Sequence, residues 1–100
     1  TGKYEYVTLK ADDILYIESA GHNLNYITRT NEYTTQGKLD DLIGQLPSFF
    51  VRCHKSYFVN LNKIKGFTGD YILIDGKPDI SVSRSKKTEF IEAYRNHLQK

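Results

Sequence analysis

At 100 residues, with 39% hydrophobic, 13% aromatic and 26% charged side chains, the chain has material for one compact domain with a real core, and its composition excludes disorder. The net charge is only +2, but residues 1–50 carry 4 basic and 7 acidic side chains and residues 51–100 carry 10 and 5, so a polyanion is expected to prefer the C-terminal half. A lone cysteine, Cys53, excludes an internal disulfide and a thiolate zinc site and suits a reducing, cytoplasmic compartment; no apolar run approaches the ~18 residues of a membrane helix, and no signal peptide is visible.

The chain starts at Thr1 and has no methionine, so it reads as a single domain, residues 1–100, cut from a longer protein. Residues 4–10 (YEYVTLK) predict a first strand and residues 13–19 (DILYIES) a second. Ile14, Leu15, Tyr16 and Ile17 are apolar in succession, so this second strand is expected to be covered on both faces. After the loop AGHN, residues 24–30 and 32–36 predict a hairpin turning near Asn31. Leu39, Leu42, Ile43 and Leu46 recur at i, i+3, i+4 and i+7 and predict a short helix ended by Pro47. Residues 49–53 and 57–61 predict strands either side of His54–Lys55–Ser56. A meander follows at residues 64–68, 71–75 and 79–83, with turns at Gly69–Asp70 and Asp75–Gly76. The chain ends in a helix with Phe90, Ile91, Tyr94 and Leu98 on one face.

Three segments carry binding chemistry. In FVRCHKSYFVNL, residues 50–61, Arg52, His54, Lys55 and Ser56 crowd between apolar runs, which is how rigid strands present a binding loop; a solvated loop with a structural histidine is the plain alternative. In SVSRSKK, residues 81–87, Arg84, Lys86 and Lys87 fall at a helix N-terminus, the unfavourable end of the dipole for cations. Together with free N–H groups and the Ser83 and Ser85 hydroxyls they suit a phosphate; Lys side chains pointing into water are the alternative. In SAGHNLN, residues 19–25, Gly21 permits a tight turn while His22, Asn23 and Asn25 offer hydrogen-bonding tips, or serve the turn alone. Catalysis is not indicated. Cys53 and His54 are adjacent on a strand and face apart, the three histidines lack metal-ligand spacing, and no glycine-rich phosphate loop is present. No cofactor, metal or small-molecule substrate is expected.

From end to end the chain resembles the LytTR family. The resemblance rests on DDILYIESAGHNLNYI at residues 12–27, GKLDDLIGQL at 37–46, FVRCHKSYFVNLNKI at 50–64 and ISVSRSKK at 80–87. The arginine–x–histidine–x–serine segment followed by valine–asparagine is specific to that family. The resemblance implies a mainly β fold of elongated antiparallel sheets packed together, with two short helices. It implies the effector domain of a bacterial two-component response regulator, a transcription factor that binds double-stranded DNA by placing loops in successive major grooves. Direct repeats are the implied target, with an N-terminal receiver or other regulatory domain as neighbour and a dimer assembled on DNA. Carried over by position, His22 or Asn23, Lys55, Ser83 and Arg84 become base-contacting candidates. Arg52, His54, Ser56, Ser85, Lys86 and Lys87 become phosphate-contacting candidates, with Arg52 and His54 alternatively orienting their loop. The rival from another class is a protein-interaction or sensory β-domain that does not bind nucleic acid and needs no cationic cluster; Lys55, Arg84, Lys86 and Lys87 speak against it.

Overall fold

A computed structural model describes residues 8–99. The strand expected at residues 4–10 therefore lies largely outside the described residues, and residues 8–10 have no regular structure. The described residues build β1 (Ile14–Ala20), β2 (Asn23–Thr28), β3 (Glu32–Gln36), β4 (Phe50–His54), β5 (Tyr57–Asn60), β6 (Gly66–Thr68), β7 (Tyr71–Leu73), β8 (Ile80–Ser81) and one α-helix, α1 (Lys87–Leu98). Two antiparallel sheets result, one ordered β3-β2-β1-β5-β4 and the other β6-β7-β8. The extents of 40 × 24 × 23 Å make the elongated mainly β molecule that the sequence implies.

β1 is the central strand, and all four residues of its ILYI run are buried. Strict alternation would put Ile14 with Tyr16, yet Ile14 and Ile17 pack with Leu24, Leu39, Phe50 and Phe58 on one face. Leu15 and Tyr16 pack on the other with Cys53, Val59, Ile72, Ile80 and Phe90. A register shift between Ile14 and Tyr16 reconciles the two, because a bulge resets which side a side chain faces. The second sheet and α1 cover the Tyr16 face. Phe90 is fully buried there, 5.2 Å from Phe67 and 5.7 Å from Tyr94 between ring centres. The expected apolar stripe of α1 holds at Phe90, Ile91 and Tyr94 but ends before Leu98, which is 65% exposed.

Residues 39–46 do not form the helix their spacing predicts. A 3₁₀ turn covers Leu39–Leu42, Ile43 turns extended at ψ 126°, and Gly44 takes φ +81°. Between Gly37 and Pro47 there is too little chain to nucleate an unsupported helix. Leu39 still reaches the core with Leu42 and Leu46 beside it, whereas Ile43 is 61% exposed. Three further 3₁₀ turns, at Ala11–Asp13, Leu61–Lys63 and Arg84–Lys86, punctuate the described chain. At the end where β1 begins and β5 ends, Asn60 is fully buried. Its amide donates to the Ile14 carbonyl at 3.0 Å and to the Asp12 carboxylate at 3.1 Å. Its side-chain oxygen accepts from the Asn62 N–H at 2.8 Å, so this deeply buried amide is well satisfied.

Candidate nucleic-acid interface

The three polar segments come together because the strands that carry them are neighbours. β1 pairs with β5 as far as Glu18 opposite Tyr57, and just beyond, the Ser19 N–H donates to the Ser56 carbonyl at 2.9 Å. That bond ties the β1–β2 turn to the β4–β5 turn. The Ser83 N–H donates to the Cys53 carbonyl at 2.9 Å, which brings the exit of β8 against β4. All three loops thus sit at the end of the large sheet opposite the Asn60 cluster.

The first loop is a two-residue hairpin, with Ala20 opposite Asn23. Gly21 takes φ +62° at its first position, where a primed turn asks for glycine. The loop holds His22 and Asn23 in the open, both exposed. The Gly37 N–H donates to the His22 carbonyl at 2.9 Å and fixes the backbone beneath. Asn25 is not a third tip. Its amide donates to Glu18 at 3.2 Å and accepts from the Thr34 hydroxyl at 2.8 Å, across the strands.

The middle loop is more tightly built. Lys55 and Ser56 make a turn without the positive φ of a primed hairpin, and the β4–β5 register shifts between Arg52 and His54. The bulge absorbs the splay that such a turn imposes and leaves Cys53 fully buried. Burial pushes the Cys53 thiol up to about 12, so it is neither a nucleophile nor a partner for His54. The His54 Nδ1 accepts from the Ser56 N–H at 3.1 Å, which leaves the ring proton of a neutral histidine on Nε2. The Arg52 guanidinium donates to Asp40 at 2.6 Å and to the Lys55 carbonyl at 2.7 Å, and lies 5.7 Å from the centre of the Phe58 ring. Its Nε is buried without a partner. Lys55 itself stands exposed above this scaffold.

At the third loop, Ser83 leads into the 3₁₀ turn Arg84–Lys86, which runs directly into α1. Arg84 and Ser85 are exposed, while Ser83, Lys86 and Lys87 are half-buried. The Ser83 and Ser85 hydroxyls lie 3.4 Å apart, and no side chain caps the first turn of α1. The Lys86 N–H donates to the Ser83 carbonyl at 3.0 Å and the Lys87 N–H to the Arg84 carbonyl, so the 3₁₀ turn already takes up donors that the sequence reading expects to be free. Lys87 is already engaged. Its Nζ donates to Asp70 at 2.7 Å, and this bond holds the Asp70 carboxyl below the ordinary carboxylate range, with the charges of Lys87 and Arg84 adding to it. Asp70, Val82, Arg84 and Lys87 line an open cleft of about 410 Å³.

Two acidic neighbours of these loops escape the sequence reading. Asp40 lies inside the segment expected as a short helix and Asp70 in an expected turn, yet they bond Arg52 and Lys87 from 12 and 17 residues away, respectively. No local pattern announces such pairs. A second cleft, of about 320 Å³, lies away from the loops between Thr28, Arg29, Tyr33 and Lys63.

The family model described as the LytTr DNA-binding domain matches residues 4–95. The transcriptional regulatory protein YpdB of Escherichia coli K12 is 38% identical over 86 residues, covering 79% of this chain and 35% of its own length. The transcriptional regulatory protein NatR of Bacillus subtilis 168 is 34% identical over 67 residues, covering 66% of this chain and 29% of its own. The chain thus spans about a third of the length of the curated relatives it matches. A solved LytTr DNA-binding domain from Bacillus cereus superposes with a TM-score of 0.80 at 24% identity, covering 87% of this chain and 85% of its own, a likeness of fold. No helix among the described residues is long and apolar enough to cross a membrane.

Proposed function

The chain belongs to the LytTr DNA-binding domain family, and from that premise we propose that it reads double-stranded DNA with three loops set into the major groove, as the effector domain of a cytoplasmic, two-component response regulator. The observation that carries this reading is the joining of the three loops at one end of the sheet by the Ser19–Ser56 and Ser83–Cys53 backbone bonds. A constellation held on strands in this way keeps its tips in fixed relative positions, which readout of several base pairs requires.

His22 or Asn23, Lys55, Ser83 and Arg84 are the base-reading tips. Arg84 offers a planar fork suited to the O6 and N7 of guanine, and Lys55 a single ammonium for the same edge. Ser56, Ser85 and Lys86 meet phosphates, with the α1 N-terminus behind them. Arg52 and His54 act through the middle loop, by holding the Lys55 carbonyl and the Ser56 N–H. A regulatory domain, a receiver in the simplest case, precedes this single domain, and two copies occupy direct repeats.

Selection of bound sequences from a random duplex library defines the cognate site. Titration of Lys55→Ala against cognate and scrambled duplexes then tests the reading. The expected outcome is a loss of about 1–3 kcal/mol on the cognate site, with altered preference at one or two base pairs and little change on scrambled DNA. Absence of duplex binding at low salt refutes the proposal, and equal losses on both duplexes demote Lys55 to a phosphate contact.

A further inference from the structure

The third loop holds a carboxylate where a phosphate is expected. Asp70, in the turn between β6 and β7, is held in place from both sides of its backbone: Thr68 pairs with Tyr71 across the turn, and the Asp70 carbonyl accepts from the Val82 N–H at 2.8 Å. Its side chain reaches Lys87 at 2.7 Å, at the first position of α1, and is close enough to Arg84 to feel its charge. Both Lys87 and Asp70 keep much of their surface, at 41% and 65% exposure, so the pair lies at the mouth of the cleft beside Arg84. Among the described residues no ion pair is formed by Arg84 or Lys86.

We propose that Asp70 is an internal counter-anion that attenuates phosphate binding at this junction, resting on the DNA reading above. Lys87 meets a phosphate only by leaving Asp70, and the abandoned carboxylate then faces the same phosphate with like charge. The junction therefore acts toward DNA as two cations rather than three. An exposed pair of this kind is worth little to folding, so its placement against the seat acts mainly on binding. Base readout is untouched, since neither Lys87 nor Asp70 is among the tips. Asp70 consequently sets the affinity scale and the salt dependence together, on cognate and unrelated DNA alike.

The test is Asp70→Asn in the intact chain, titrated on the selected cognate duplex and on a scrambled one across a salt series. The expected result is tighter binding to both, by up to about 5-fold, the scale of one exposed ion pair. The plot of log affinity against log salt should also steepen by about 0.9, the increment for one more phosphate neutralised. Adding Lys87→Ala to the variant should erase both effects. Tighter binding is not what loss of a structural contact produces, and Asp70→Ser, which also suits a turn, repeats the test should the amide fold poorly. If the parent binds its cognate site while both variants keep the parental affinity and slope, Lys87 lies outside the interface and the proposal is wrong. If they lose cognate binding alone, Asp70 accepts a hydrogen bond from a base, which equally overturns it. A parent that binds no duplex at low salt overturns the DNA reading as well, and so is told apart from failure of the Asp70 assignment.

Discussion

Replacing Arg52 by glutamine separates a strut from a phosphate contact. The side chain is 21% exposed and bridges Asp40 and the Lys55 carbonyl, with the Phe58 ring alongside. The Asp40 pair counts for little, under about 1 kcal/mol, because Asp40 is 74% exposed and solvent screens it. The bond to the Lys55 carbonyl, with a charged donor, adds about 1 kcal/mol in this partly wet setting, and the ring contact about 0.5 kcal/mol. The free protein should therefore lose about 2 kcal/mol, near 10 °C of melting temperature for a domain of this size. Binding should suffer separately. A middle loop released from Arg52 must be ordered again on DNA, at about 1–2 kcal/mol for the backbone of one residue, so cognate affinity should fall roughly 5- to 30-fold. Scrambled-duplex affinity and the salt slope should hold, because the guanidinium charge is already answered by Asp40. Combining Arg52→Gln with Lys55→Ala supplies the decisive assay. If Arg52 works through Lys55, the second change should cost little once the first is made. A salt slope that falls by about 0.9 with equal losses on both duplexes would show Arg52 touching phosphate directly and would refute the strut.

Arg84→Lys keeps the charge but loses the planar fork, so cognate binding should weaken by about 1–3 kcal/mol and scrambled binding much less; parental binding to the cognate site removes Arg84 from the base readers. Native Cys53 should resist alkylation at pH 8, since it is fully buried with its thiol pushed up to about 12, and labelling should follow global unfolding in denaturant; rapid modification of the folded protein would contradict the packing. Cys53→Ser should lower the melting temperature while leaving DNA preference intact. The Asp12 carboxyl is held below its ordinary 3.8, chiefly by the Asn62 and Asn60 amides and further by Lys63. Because the folded state favours its charged form, the stability it adds is present above about pH 4 and is lost as pH falls through the depressed value. Asp12→Asn should therefore cost most at neutral pH, with parent and variant converging in acid; a difference that grows below pH 4 reverses the sign and rejects the account.

Much of this protein is legible without coordinates. The run Ile14 to Ile17 announces a strand covered on both faces because four consecutive apolar side chains cannot all avoid water from one side of a sheet. The glycine and asparagine turns place the hairpins, and the apolar spacing from Phe90 to Tyr94 places α1. The three polar segments stand out because they interrupt apolar runs that must be buried. The spacing from Leu39 to Leu46 misleads for a related reason: periodicity reports which side chains face the core, and a 3₁₀ turn followed by extended chain at Ile43 offers Leu39, Leu42 and Leu46 inward as well as a helix would. Only the tertiary structure decides the pairings. Asp40 reaches Arg52 because the turn after β3 packs against β4, and Asp70 reaches Lys87 because the Val82 N–H bonds the Asp70 carbonyl across the small sheet. A carboxylate on an exposed turn looks the same in sequence whether it faces water or a cation, since its charge acts over a few ångströms of space and the chain between the partners carries no trace of that distance.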